Sequence, residues 1–184
     1  MDKYRPECVL DVKAELGEHP IWSAEGDCLY WLDIENATIN RFVPTTGKNT
    51  AWKLPARPGC FALRADGVAI VAAQDGFYDL NFTTGSVERV LSPRHDPAVM
   101  RFNDGRTDGE GRLWVSTVRV DMDLSNTAGN AYFRLDGRGL EKVIESVGIP
   151  NGTAFSPDGK TMYRAQSESR QIFSYDYDPA MGTP

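Results

Sequence analysis

A glycine-centred turn returns four times along the chain, and its interval constrains the fold more than any other feature. The segments cover residues 20–31, 60–71, 104–115 and 152–163. Each has a first strand segment, a turn holding Gly, and a second, apolar strand. The turn glycines are Gly26, Gly67, Gly111 and Gly159, at spacings of 41, 44 and 48 residues. Self-similarity at a period of that size means stacked structural repeats.

A second turn follows each segment, ending at Gly47, Gly85, Gly139 and Gly182. The strand before it alternates, as in residues 171–177, where Phe173, Tyr175 and Tyr177 fall on one face by the period of two. After three of these turns comes one more strand, at 49–54, 86–91 and 140–147. Each unit therefore holds four antiparallel strands, the pattern of a propeller blade. A β-sandwich also has frequent turns, but does not predict glycines returning at one blade length. The expected fold class is all-β, a β-propeller with about four blades in this chain. One incomplete propeller domain is expected over 1–184, with units at about 18–58, 59–98, 101–148 and 149–184. The fourth unit stops before its outer strand, so the chain reads as the N-terminal part of a longer, six-bladed protein. Such a piece, with sheet faces and an edge open to water, is expected to self-associate.

Composition narrows the function. The chain has 184 residues, 41% hydrophobic and 25% charged, enough apolar residues to bury a core. Its net charge of −6 argues against a nucleic-acid partner, which needs a basic stripe. The longest apolar run, Val68 to Ala73, is far too short to span a membrane. No apolar segment follows the charged N-terminus, so no secretory signal is read there. Cys8, Cys28 and Cys60 form no even disulfide framework and no CxxC pair. They read as reduced thiols of a cytoplasmic protein, and the sequons at Asn36, Asn81 and Asn151 as chance matches. His19 and His95 are the only histidines and lack zinc-site spacing.

Counting back eight residues from each turn glycine gives Glu18, Gly59, Asn103 and Asn151. Equivalent positions in a propeller lie at one level around the axis, here at the start of each innermost strand. Three carry side-chain oxygens and the fourth, Gly59, takes no space. Several oxygens on rigid elements, with few charges, suit a hard divalent cation. Competing sites are weaker. Residues 121–126 start like an EF-hand loop through Asp121, Asp123 and Ser125, but Asn126 and Tyr132 stand where Gly and Glu are required. Gly109-Glu110-Gly111 leads into no helix, so it is not a dinucleotide loop. No Gly-x-Ser-x-Gly is present. Ser167-Glu168-Ser169 reads as a solvated loop, and Trp22, Trp31, Trp52 and Trp114 as core.

Four blocks carry a family resemblance: Glu15-Leu16-Gly17-Glu18-His19-Pro20-Ile21-Trp22; Arg101-Phe102-Asn103-Asp104-Gly105 with Asp108 and Gly111-Arg112-Leu113-Trp114; Pro150-Asn151-Gly152 through Pro157-Asp158-Gly159; and Phe173 through Asp178 with Gly182. The chain resembles the regucalcin/gluconolactonase family, also called the senescence marker protein family, over nearly its whole length. The resemblance implies a six-bladed propeller that hydrolyses sugar lactones with one divalent metal, calcium before zinc, manganese or magnesium. It implies that Glu18 and Asn151 are metal ligands, with a third, an Asp, beyond Pro184. That Asp would also be the general base, since Glu18 and Asn151 are committed to the metal. It gives Asn103 a contact to substrate or to a water on the metal, Arg101 a contact to sugar hydroxyls, and Asp121 a place among the substrate-binding residues. Ser116-Thr117-Val118 and Ala165-Gln166-Ser167 depart from the family pattern. The function expected is metal-dependent hydrolysis of sugar-acid lactones, and this chain alone could be inactive. The alternative is a propeller that binds calcium or another ligand without turnover.

Overall fold

The structure is a computed structural model that describes residues 5–121, 123 and 125–184. Among these it forms fifteen strands and no helix, so none is long and apolar enough to cross a membrane. The strands make four antiparallel sheets, each with its strands in chain order. The first holds β1 (Gly17–Ser23), β2 (Cys28–Asp33), β3 (Thr38–Val43) and β4 (Lys48–Lys53). The second holds β5 (Pro58–Leu63), β6 (Val68–Ala73), β7 (Gly76–Asn81) and β8 (Val87–Leu91). The third holds β9 (Met100–Thr107), β10 (Leu113–Arg119), β11 (Ala131–Asp136) and β12 (Gly139–Glu145). The fourth has three strands, β13 (Pro150–Phe155), β14 (Thr161–Gln166) and β15 (Gln171–Asp176). These are propeller blades.

Each repeat glycine sits in the first hairpin of its sheet. Gly67, Gly111 and Gly159 are left-handed there, with φ of 76°, 80° and 70°. In the first hairpin that conformation passes one residue on, to Asp27 at φ 44°. An aspartate tolerates it better than most side chains.

The chain divides into two compact units, one ending at Arg57 and one spanning Pro58–Pro184. In the first, Cys28, Leu32 and Ile39 are buried on one face of the sheet and Phe42, paired with Leu29, on the other, and Ile34 and Leu54 are buried with them. Asp33 ties the start of β1 to the β2–β3 turn. Its carboxylate accepts the N–H groups of Glu15 and Leu16 at 3.1 Å each and the Asn36 side-chain amide at 2.8 Å. Burial pushes this carboxyl up, but the bonds from Asn36, Leu16 and Glu15 outweigh it and hold it below the ordinary range.

In the second unit β9 lies between β5 and β13, so three blades meet along their innermost strands. The third blade is buried on both faces, and the alternation of β10 and β11 sorts the contacts. Leu113, Val115, Ala131 and Phe133 join Phe102, Cys60, Ala62, Ala72 and Phe77 in one cluster. Trp114 and Tyr132, pointing the other way, join Val147, Met162 and Tyr177 in another. Phe102 is fully buried, its ring centroid 4.7 Å from Phe77 and 4.8 Å from His95.

The tryptophan expectation needs correction. Trp114 is fully buried, but Trp22 is 52% exposed, and Trp31 and Trp52 are half-buried. Apolar residues on the outward side of a strand look the same in sequence as those on the inward side when both flanks are mixed. Phe173 and Tyr175 do share a face, and the Arg164 guanidinium lies 4.2 Å and 5.8 Å from their ring centroids.

Candidate functional site

Every innermost strand is bulged at the position the repeat singles out. In β1 the pairing with β2 slips between Glu18 and Ile21. In β5 it slips between Pro58 and Cys60, around Gly59. In β9 the partners jump from Gly105 to Phe102, leaving Asn103 and Asp104 in the bulge. In β13 it slips between Asn151 and Ala154. The residues after Glu18 and Asn151 are both left-handed, His19 at φ 52° and Gly152 at φ 59°. A bulge re-aims one side chain out of the ladder and frees backbone groups for other partners. Periodicity alone does not reveal it, because a bulge leaves no mark in a short apolar pattern.

The second unit brings Gly59, Asn103, Arg101 and Asn151 together. A Cβ on Gly59 would strike the carbonyl oxygens of Phe102 and Asn103, so only glycine lets β5 pass the β9 bulge this closely. Asn103 Nδ2 donates to Asn151 Oδ1 at 3.1 Å and to the Pro150 carbonyl at 3.0 Å. Its Oδ1 accepts from Arg101 Nη1 at 3.1 Å, and the same nitrogen donates to the Phe102 carbonyl at 3.0 Å. Arg101 is 4% exposed, and Asn103 and Asn151 are half-buried. Glu18 stands at the matching step of β1 in the first unit, exposed, opposite Leu32. Among the described residues Asp121 bonds to Arg119 and to the Asp123 N–H. It is an exposed partner of Arg119, 2.7 Å away, which holds its carboxyl below the usual range.

Two residues at this site were not singled out by the sequence. Asp104 Oδ2 accepts the Thr153 N–H at 3.0 Å and its hydroxyl at 3.3 Å, clasping the β13 bulge from the next blade. The Thr153 hydroxyl also meets the Tyr132 hydroxyl at 3.0 Å. An acid in the middle of a strand that is otherwise buried was the available signal. Ser167 had none. It was expected in a solvated loop and is exposed, but the β14–β15 turn folds back over the start of β13. The Ser167 N–H donates to the Ile149 carbonyl at 3.0 Å. Its hydroxyl accepts Asn151 Nδ2 at 2.8 Å, and Glu168 Oε2 accepts the Ile149 N–H at 2.8 Å. Ser116, in the other departure from the family pattern, is fully buried and donates to the Asp104 carbonyl at 2.8 Å.

The donor chemistry is that of amide and carboxylate oxygens. Among the described residues no three His, Cys, Asp or Glu side chains gather at one point. A sparse, all-oxygen donor set of low charge fits a hard divalent cation that keeps some of its water, and does not fit a thiolate or histidine metal site.

Fold and site together define a class: a β-propeller whose bulged innermost strands present amide and carboxylate side chains. Within that class, the chain belongs to the family described as the SMP-30/Gluconolactonase/LRE-like region, whose model matches residues 16–184. It is 34% identical over 172 residues to the 6-deoxy-6-sulfogluconolactonase of Pseudomonas putida, which covers 93% of this chain and 58% of that protein. It is 35% identical over 181 residues to a pentonolactonase of Haloferax volcanii, covering 95% of this chain and 57% of that one. The crystal structure of regucalcin, a calcium-binding protein from Agrobacterium tumefaciens, superposes with a TM-score of 0.84 at 25% identity, covering 92% of this chain and 56% of that one. The chain thus spans 57–58% of the length of these two curated relatives.

Proposed function

We propose that this chain is part of a divalent-metal-dependent enzyme that hydrolyses sugar-acid lactones. The observation that carries the reading is the linked set Arg101–Asn103–Asn151 on bulged inner strands, in a family several of whose matched members are named as lactonases. In this reading Glu18 and Asn151 are the metal ligands this chain supplies, and calcium is the first candidate ion. Such an ion, when bound, polarises an ester carbonyl and lowers the pKa of water. The chain's own groups orient the ester. Arg101 is the contact to sugar hydroxyls. Asn103, whose two N–H groups are held by Asn151 and Pro150, offers the second lone pair of its Oδ1 to a substrate hydroxyl or to a water on the ion. Asp121 is a further substrate contact from its loop. Water adds to the lactone carbonyl carbon, the ring C–O bond breaks, and the departing oxygen takes a proton. The product is an open hydroxy acid, which releases one proton near neutral pH. Three free cysteines, two of them buried, are consistent with a reducing, cytoplasmic setting.

A second reading, calcium binding without turnover, is favoured by the description of the Agrobacterium relative as a calcium-binding protein. A pH-stat assay of the complete enzyme with glucono-δ-lactone separates the two. The enzyme reading predicts acid release above the spontaneous rate that stops with chelator and returns with calcium or manganese. Calcium binding without acid release would overturn it in favour of the second.

A further inference from the structure

We propose that Ser167 is a positioning residue that holds the Asn151 side chain with its Oδ1 turned to the ion; this rests on the reading of Asn151 as a metal ligand. A guanidinium can only donate, so the Asn103 atom facing Arg101 Nη1 at 3.1 Å must be its oxygen. A carbonyl can only accept, so the Asn103 atom facing the Pro150 oxygen at 3.0 Å must be its NH2. Two independent partners thus fix the sense of the Asn103 amide. Its NH2 then needs an acceptor on Asn151, 3.1 Å away, which fixes Oδ1 of Asn151 on that side and its Nδ2 on the other. The Nδ2 meets Ser167 Oγ at 2.8 Å. A hydroxyl accepts or donates as required, so Ser167 does not choose the sense of the amide; Asn103 does.

Ser167 fixes the plane of the amide. An Asn χ2 torsion is broad and weakly held on its own. Pinned at the oxygen by Asn103 and at the nitrogen by Ser167, the Asn151 amide has one orientation, with one lone pair of Oδ1 on Asn103 and the second left for a cation. Without the hydroxyl, Nδ2 turns to water at little cost, because Ser167 is exposed. Stability stays, but the oxygen is free to swing. Partners that orient a ligand in this way are worth about 10–100-fold in metal affinity.

The test titrates calcium, and separately manganese, into the wild-type protein, Ser167→Ala and Ser167→Thr by calorimetry. Thermal melts without metal, and solvent exchange of the Asn151 side-chain amide protons by NMR, accompany it. Ser167→Ala is expected to bind calcium about tenfold more weakly. It is also expected to exchange its Asn151 amide faster without metal, and to melt with the wild type. Ser167→Thr, which keeps the hydroxyl, is expected to restore both affinity and exchange. If the wild type binds and Ser167→Ala binds equally well, the role of Ser167 falls while the metal reading stands. If Ser167→Ala melts lower and Thr does not restore affinity, the residue is structural and the proposal is overturned. If the wild type binds neither calcium nor manganese, the metal reading falls and takes the proposal with it.

Discussion

At the scale of single residues, the site depends on a glycine as much as on its polar groups. Gly59 is the one member of the eight-residue register without a side chain, and the carbonyls of Phe102 and Asn103 occupy the space a Cβ would need. Gly59→Ala is expected to push β5 away from the Asn103 bulge and to cost about 1–3 kcal/mol, the usual penalty for overpacking. Urea unfolding measures this, and a variant as stable as the wild type would mean the two strands do not approach as closely as described. Gly59, Asn103 and Asn151 were legible in the sequence because a fixed offset from a recurring turn glycine survives without any knowledge of contacts. Asp104 and Ser167 were not, because both act across a gap between elements, and such bonds leave no periodic trace. Trp22 was misread for a related reason. Burial of an aromatic residue depends on which sheet face meets a neighbour, and local alternation does not say which face that is.

At the scale of elements, the third and fourth blades are fastened by a buried polar knot as well as by apolar packing. The Asp108 side chain, 1% exposed, accepts from Arg112 Nε at 2.7 Å and from the Tyr177 hydroxyl at 2.6 Å. The Tyr177 hydroxyl in turn accepts Trp114 Nε1 at 3.0 Å. Arg112 also reaches the Pro179 carbonyl, tying the segment after β15 to the β9–β10 hairpin. Burial raises the Asp108 carboxyl, but the bonds from Tyr177 and Arg112 outweigh it and hold it below its ordinary value of 3.8. The sign follows from linkage. A depressed carboxyl stabilises the fold above the unfolded value, and that stabilisation is lost as pH falls through the lower folded value. Asp108→Asn is therefore expected to cost about 3 kcal/mol at pH 7, as breaking a buried ion pair does. It is also expected to flatten the fall in stability below about pH 4. Urea midpoints at pH 7 and pH 3 check both parts, and an unchanged slope with pH would show that other carboxylates dominate the acid response. The blade pattern was readable because strand alternation and turn glycines are local. The bulges were not, although they determine which side chains leave the ladder.

At the scale of the whole molecule, two observations meet. The family match covers residues 16–184, and the repeat puts an oxygen-bearing or small residue at the same step of all four inner strands. The fold class was legible in full, since blade-length repetition is a property of sequence alone. The chemistry was legible only as far as donor types go. The proposed function turns on one divalent cation with Glu18 and Asn151 among its ligands. Calcium calorimetry on the wild type, Glu18→Gln and Asn151→Ala tests this most directly. A single binding event is expected in the wild type, weakened more than about tenfold by either substitution, with metal-free melting curves unchanged. Either variant binding calcium as tightly as the wild type would contradict it.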